Sequence, residues 1–164
     1  MLDEELIPKE VSGCPPDAFS DTGQLWGNPI YNWEEMDKDQ YKWWCRRFGE
    51  SRKLFDIIRI DHFRGFESYW AVPFENETAA NGKWKKGPGI KVFEAIKREL
   101  GDIEVIAEDL GYITKEVREL LDICGYPGMK VLQFAFNPKG NSEYLPHQYI
   151  KNSVVYTGTH ETIP

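Results

Sequence analysis

Residues Phe55 to Pro73 read FDIIRIDHFRGFESYWAVP. The opening run, Phe55-Asp56-Ile57-Ile58-Arg59-Ile60, is dense in β-branched and aromatic side chains. A short apolar run of this kind predicts a strand buried on both faces of a parallel sheet. It stops at Asp61, His62 and Arg64, and Gly65 lets the backbone turn. Charged groups at the C-terminal end of a buried strand occupy the place where βα-barrels carry their chemistry. The plain alternative is a loop carboxylate that pairs with Arg59 or Arg64.

Outward from this stretch the pattern alternates. Upstream, Asp39 to Lys53 has a helical period, with Tyr41, Trp44, Cys45 and Phe48 on one face and Lys42, Arg46, Arg47 and Glu50 on much of the other. Downstream lies a polar loop, FENETAANGKWKKGPG, and then a predicted helix over Ile90–Leu100 with Gly101 as its C-cap. A second strand, Glu104–Ala107, ends in Glu108-Asp109. Thr114 is placed to N-cap a helix through Val117, Leu120 and Leu121, which stops before Gly125. A third strand is predicted over Met129–Phe136. A fourth, Ser153–Thr157, leads into Gly158-Thr159-His160-Glu161. Strands alternating with helices predict an α/β fold of parallel strands joined by right-handed crossovers, built as a single domain. Three of the four strands end in a carboxylate, at Asp61, Glu108 and Glu161. On one barrel rim these acids would converge, and paired carboxylates are the equipment for glycosidic bond chemistry.

Composition narrows the partners. The chain has 164 residues, 41% of them hydrophobic, which is enough for one globular domain. A net charge of -7 without basic clusters argues against nucleic acid and anionic membrane surfaces. No apolar run approaches the roughly 20 residues of a membrane span. MLDEELIPKE is acidic and does not read as a secretion signal. The three cysteines, Cys14, Cys45 and Cys124, are widely spaced and suggest neither a disulfide framework nor a metal cluster. These features predict a cytoplasmic protein with no metal and no cofactor. Residues 1–33 read as a loop rich in Gly, Pro and Asp, with Phe19, Trp26, Tyr31 and Trp33 set among them. Aromatic faces beside amides and carboxylates suit a sugar-binding cleft, since a pyranose stacks on a ring while polar groups take its hydroxyls. An ordinary core role for Trp26 and Trp33 is the alternative.

Read together and in order, CPPDAFSDTGQLWGNPIYNW, FDIIRIDHFRGFESYWAVP, VIAEDLG, YPGMKVLQFAF and VVYTGTH resemble the 4-α-glucanotransferases, the amylomaltase or disproportionating-enzyme family 77 of glycoside hydrolases. The resemblance implies a partial (β/α)8 barrel covering roughly strands four to seven, and hence a fragment of a catalytic domain. It implies retaining transfer of α-1,4-glucan segments to the 4-hydroxyl of an acceptor, through a covalent intermediate on Asp61. Glu108 would be the general acid/base, and Asp109 beside it a supporting acid. Arg59 would orient Asp61, while His62 and His160 would bind the reacting glucose. The family carries an aspartate after that last histidine; this chain has Glu161, the candidate third acid. Asp17, Phe19, Gln24, Trp26 and Phe134 resemble residues that line sugar subsites. The implied partners are α-1,4-glucans and maltooligosaccharides, with self-association through exposed barrel edges. A truncated unit that only binds glucan or a partner is the alternative, and a clan-related hydrolase is disfavoured by GQLWGNP and KVLQFAF.

Overall fold

The computed structural model describes residues 2–17, 20–136 and 142–160. Phe19 and Glu161 therefore lie outside the described residues. Two structural lobes follow from the sequence. The first is an antiparallel sheet of four strands in the order β2-β1-β4-β5. Its members are β1 (Glu10–Cys14), β2 (Gln24–Pro29), β4 (Ser68–Pro73) and β5 (Lys83–Lys86). Residues 1–33 are thus not one loop, and the polar stretch after Pro73 is not all loop. The alternation of β1 buries Val11, which packs with Val72, Ala79 and Trp70, so a small apolar seam holds this sheet together. β2 has no buried residue, so its glycine- and proline-bearing sequence carried no strand signal.

The second lobe is α/β. Strand β3 (Ile57–Ile60) pairs in parallel with β6 (Glu104–Ala107), and β7 (Gly128–Val131) pairs in parallel with β8 (Ser153–Tyr156). Helices α2 (Lys42–Ser51), α3 (Lys91–Leu100) and α4 (Lys115–Cys124) cover one side. Their apolar stripes meet the strands in one core, where Trp44, Phe48, Phe63, Phe66, Val92, Phe93, Val105 and Val117 interlock. Thr114 caps α4 as its position suggested, accepting from the Val117 N–H.

Four boundaries differ from the sequence reading. β3 starts at Ile57, and it is not buried on both faces: Ile57 is 54% exposed, while Ile60 is buried on the helix side. The expected helix over Asp39–Lys53 is the shorter α2, and an unexpected helix, α1 (Trp33–Lys38), precedes it; Gln40 and Tyr41 between them take left-handed φ of 60° and 58°. Two such residues in succession stop an α-helix. The third strand is short: β7 ends at Val131, and a 3-10 turn spans Leu132–Ala135. The fourth strand closes at Tyr156.

Between β6 and β7 the joint is made by few bonds. The Ala107 N–H donates to the Pro127 carbonyl at 2.9 Å. The Met129 N–H donates to Asp109 Oδ1 at 2.6 Å, so a side chain supplies an acceptor between the two strand pairs. A Cβ at position 128 would lie 2.5 Å from Asp109 Oδ2, which is why Gly128 stands there.

Candidate active site

The parallel register fixes the centre. Arg59 stands opposite Ile106 and Ile60 opposite Ala107, so Asp61 and Glu108 are the next residues on adjacent strands. Backbone bonds carry the pairing past the strand ends: Glu108 N–H to the Ile60 carbonyl at 2.9 Å, and Phe63 N–H to the Glu108 carbonyl at 3.0 Å. Both acids therefore leave the same end of β3 and β6, as the strand-end reading required.

Their surroundings differ. The Asp61 side chain is 71% exposed, and its Oδ1 accepts from Arg59 Nη1 at 2.7 Å. Arg59 in turn directs Nε at Met129 Sδ, 3.5 Å away on β7. Glu108 is mostly enclosed. Its Oε2 accepts from the His62 backbone N–H at 2.7 Å and its Oε1 from the Leu110 N–H at 2.8 Å. Burial raises the Glu108 carboxyl above its ordinary value; the two N–H donors oppose this, and the Asp61 charge adds to it. A carboxyl raised by burial beside an open carboxylate is an arrangement that separates a proton donor from a nucleophile.

His62 holds these parts together. It sits in a left-handed conformation, φ 46°, which turns its N–H onto Glu108. Its ring meets the Trp26 ring edge-on, with centroids 4.8 Å apart. Burial, and then the Arg64 charge, depress the imidazole to about 4, against a smaller upward pull from Asp61. The side chain is thus neutral near pH 7 and offers one donor and one acceptor to a hydroxyl.

Of the other candidates, Gln24 joins this group through Trp26, whose Nε1 donates to Gln24 Oε1 at 3.2 Å. Trp26 is 40% exposed, so it is a surface ring and not a core one. Trp33 is the reverse: it is partly buried and stacks with Trp44 against the main core. Asp17 is engaged in its own turn, accepting from the Ser20 N–H at 3.0 Å. Phe134 lies on the 3-10 turn after β7, edge-on to Tyr144 at 5.5 Å. His160 is exposed, on the segment past β8.

Tyr144 was not singled out by any motif. Its phenol is pushed up to about 12, mainly by burial, then by Glu143, Asp109 and Glu108. Of the two strand-end acids only Glu108 acts on it, and a lone tyrosine in a loop carries no sequence signal for that. Of the two sequence candidates for a partner of Asp61, Arg59 and Arg64, the structure pairs it with Arg59. Among the described residues no group of three or more His, Cys, Asp or Glu is arranged to hold a metal ion, and no helix is long and apolar enough to cross a membrane.

Known proteins match this chain along its length. The family model described as 4-alpha-glucanotransferase, glycoside hydrolase family 77, matches residues 2–164. The 4-alpha-glucanotransferase of Streptococcus pneumoniae serotype 4 is 64% identical over 151 residues, covering 92% of this chain and 30% of that protein. The Clostridium butyricum 4-alpha-glucanotransferase is 60% identical over 158 residues, covering 96% of this chain and 32% of that protein. The chain thus spans about a third of the length of these curated relatives. The structure of amylomaltase from Streptococcus agalactiae in complex with acarbose superposes with a TM-score of 0.95 at 45% identity, over 98% of this chain and 33% of that one. The Corynebacterium glutamicum amylomaltase, at 23% identity and a TM-score of 0.83 over 95% of this chain and 22% of that one, shares the fold. With its whole described length aligned to that family, and its acids on adjacent parallel strands, this chain belongs to the 4-alpha-glucanotransferases of glycoside hydrolase family 77.

Proposed function

We propose that this segment carries the glucosyl-transfer centre of a 4-α-glucanotransferase, within strands four to seven of a (β/α)8 barrel. The observation that carries the reading is the pairing of Asp61 and Glu108, held one residue past an in-register parallel ladder in opposite environments. Asp61 attacks the anomeric carbon of an α-1,4-glucan, and the bond to the leaving 4-oxygen breaks as Glu108 gives that oxygen its proton. The product is a β-linked glucosyl ester on Asp61 and an ionised Glu108. Glu108 then takes the proton from the 4-hydroxyl of a second glucan, whose oxygen attacks the anomeric carbon, forming a new α-1,4 bond as the bond from that carbon to the Asp61 carboxylate breaks.

The remaining residues have supporting roles. Arg59 keeps Asp61 oriented for attack. His62, neutral and beside Trp26, takes a hydroxyl of the reacting glucose, while Trp26 gives its ring face to a sugar. Gln24, Asp17, Phe134 and His160 line sugar subsites, as do Phe19 and Glu161 outside the described residues, with Glu161 as the third acid. Residues 1–33 are a substrate-binding segment built on β1 and β2. The partners are α-1,4-glucans and maltooligosaccharides, and the three free thiols suit a reducing, cytoplasmic compartment.

The test uses a chimera in which this segment replaces its counterpart in the Streptococcus pneumoniae relative. The chimera is expected to disproportionate maltotriose to glucose and longer oligosaccharides. Glu108→Gln should lose about a hundredfold or more on maltotriose. It should lose far less in first-turnover fluoride release from α-maltosyl fluoride, whose leaving group needs no proton. Equal losses on the two donors would refute the acid role.

A further inference from the structure

Arg64 is a buried cation, 6% exposed, in the 3-10 turn Phe63–Phe66 that follows the acid-bearing strand end. Its partners are a carbonyl, a hydroxyl and a ring face. Nη1 donates to the Tyr112 carbonyl at 2.6 Å, and Nη2 to Ser68 Oγ at 3.2 Å. The guanidinium lies over the Trp84 ring, 4.1 Å from its centroid, and 5.9 Å from that of Tyr112. The nearest counter-charge stands one hydroxyl away: Ser68 Oγ donates to Glu67 Oε2, and Glu67 is itself paired with Lys86. Burying a cation costs several kcal/mol and is recovered only through well-made bonds. A planar fork that also stacks is a demand that arginine alone among the cations meets.

The connectivity of these bonds tells what the cation holds. Two backbone N–H groups clamp the Glu108 carboxylate, one from His62 and one from Leu110. His62 lies two residues before Arg64, and Leu110 two residues before Tyr112, in the loop that follows Glu108. The Arg64–Tyr112 bond therefore closes the two donor segments onto each other behind the carboxylate. Stacking on Trp84 of β5 fastens the same point to the antiparallel sheet, which carries Trp26 against His62.

We propose that Arg64 is a positioning residue for the acid/base step, acting through the 61–66 and 108–112 segments on Glu108 and touching no substrate. The proposal rests on Glu108 being the general acid, as above. Removing the fork frees the 108–112 loop, and a displacement near 1 Å of a reacting group costs about a hundredfold.

In the chimera, Arg64→Met is expected to lower kcat on maltotriose by about 30- to 100-fold. First-turnover fluoride release from α-maltosyl fluoride should fall by less than about threefold, since that step needs no proton. Arg64→Lys keeps the charge without the fork, and should show the same donor split at roughly a third of the size. Trp84→Leu removes the stacking face and keeps Arg64, giving a smaller split in the same sense. If Arg64→Met does not fold, the lysine and Trp84 variants decide. Equal losses on both donors, or no loss on either, would overturn the role. Glu108→Gln separates the two readings: a split for Glu108→Gln without one for Arg64 removes this inference alone.

Discussion

His62 carries the tightest coupling of sequence to chemistry, because one residue supplies a strained backbone, a donor to Glu108 and a neutral ring. A left-handed φ costs a non-glycine residue about 1 kcal/mol or more, and here it aims the N–H at the acid. The ring, depressed to about 4 by burial and by Arg64, has an unfolded value near 6.5. The unfolded chain therefore binds the proton first as pH falls. Stability from this group is full above about pH 6.5 and is lost as pH drops toward 4, by at most about 3 kcal/mol. Urea denaturation of the chimera should show a steeper loss between those pH values than the His62→Gln variant. Parallel pH profiles would mean that the ring titrates freely. Asp61, Glu108 and His62 were legible as candidates because they follow an apolar run. The clamp on Glu108 was not, since it depends on a backbone angle that histidine does not announce.

At the scale of elements, the parallel strands and their helices were readable where burial imposes a period, as in α3, β6 and α4. The antiparallel strands were not. β2 buries nothing, and β5, Lys-Trp-Lys-Lys, is exposed throughout, so neither shows an apolar alternation. The break between α1 and α2 rests on Gln40 and Tyr41, neither a residue that signals a left-handed turn. The joint between β6 and β7 was legible only in part: Asp109 was read as a supporting acid, but its bond to the Met129 N–H needs the fold. Burial pushes its carboxyl up, while that N–H and Lys130 oppose the shift. Gly128 gives it room. Gly128→Ala is expected to force the carboxylate off Met129 and to destabilise the chimera by about 1–3 kcal/mol, read as a lower urea midpoint. An unchanged midpoint would show that the joint is held by other bonds.

Across the whole molecule, the strand faces and edges set the behaviour of the isolated chain. Among the described residues, β3 pairs on one side with β6, and β8 on one side with β7; Phe55, Ile57 and Val155 are exposed on or beside these strands. Unpaired edges beside apolar side chains favour pairing with further copies. The 164-residue chain expressed alone is expected to self-associate in light scattering after size exclusion, and to turn over maltotriose poorly. A monodisperse monomer would contradict the expectation from the edges.

In the proposed function, Asp61 forms the covalent bond to glucose. Intact-mass spectrometry of the chimera with 5-fluoro-α-glucosyl fluoride, followed by peptide mapping, reads this directly. One added fluoroglucosyl group is expected, on the peptide holding Asp61, and none in Asp61→Asn. A label on any other carboxylate, or a label that survives Asp61→Asn, would contradict it.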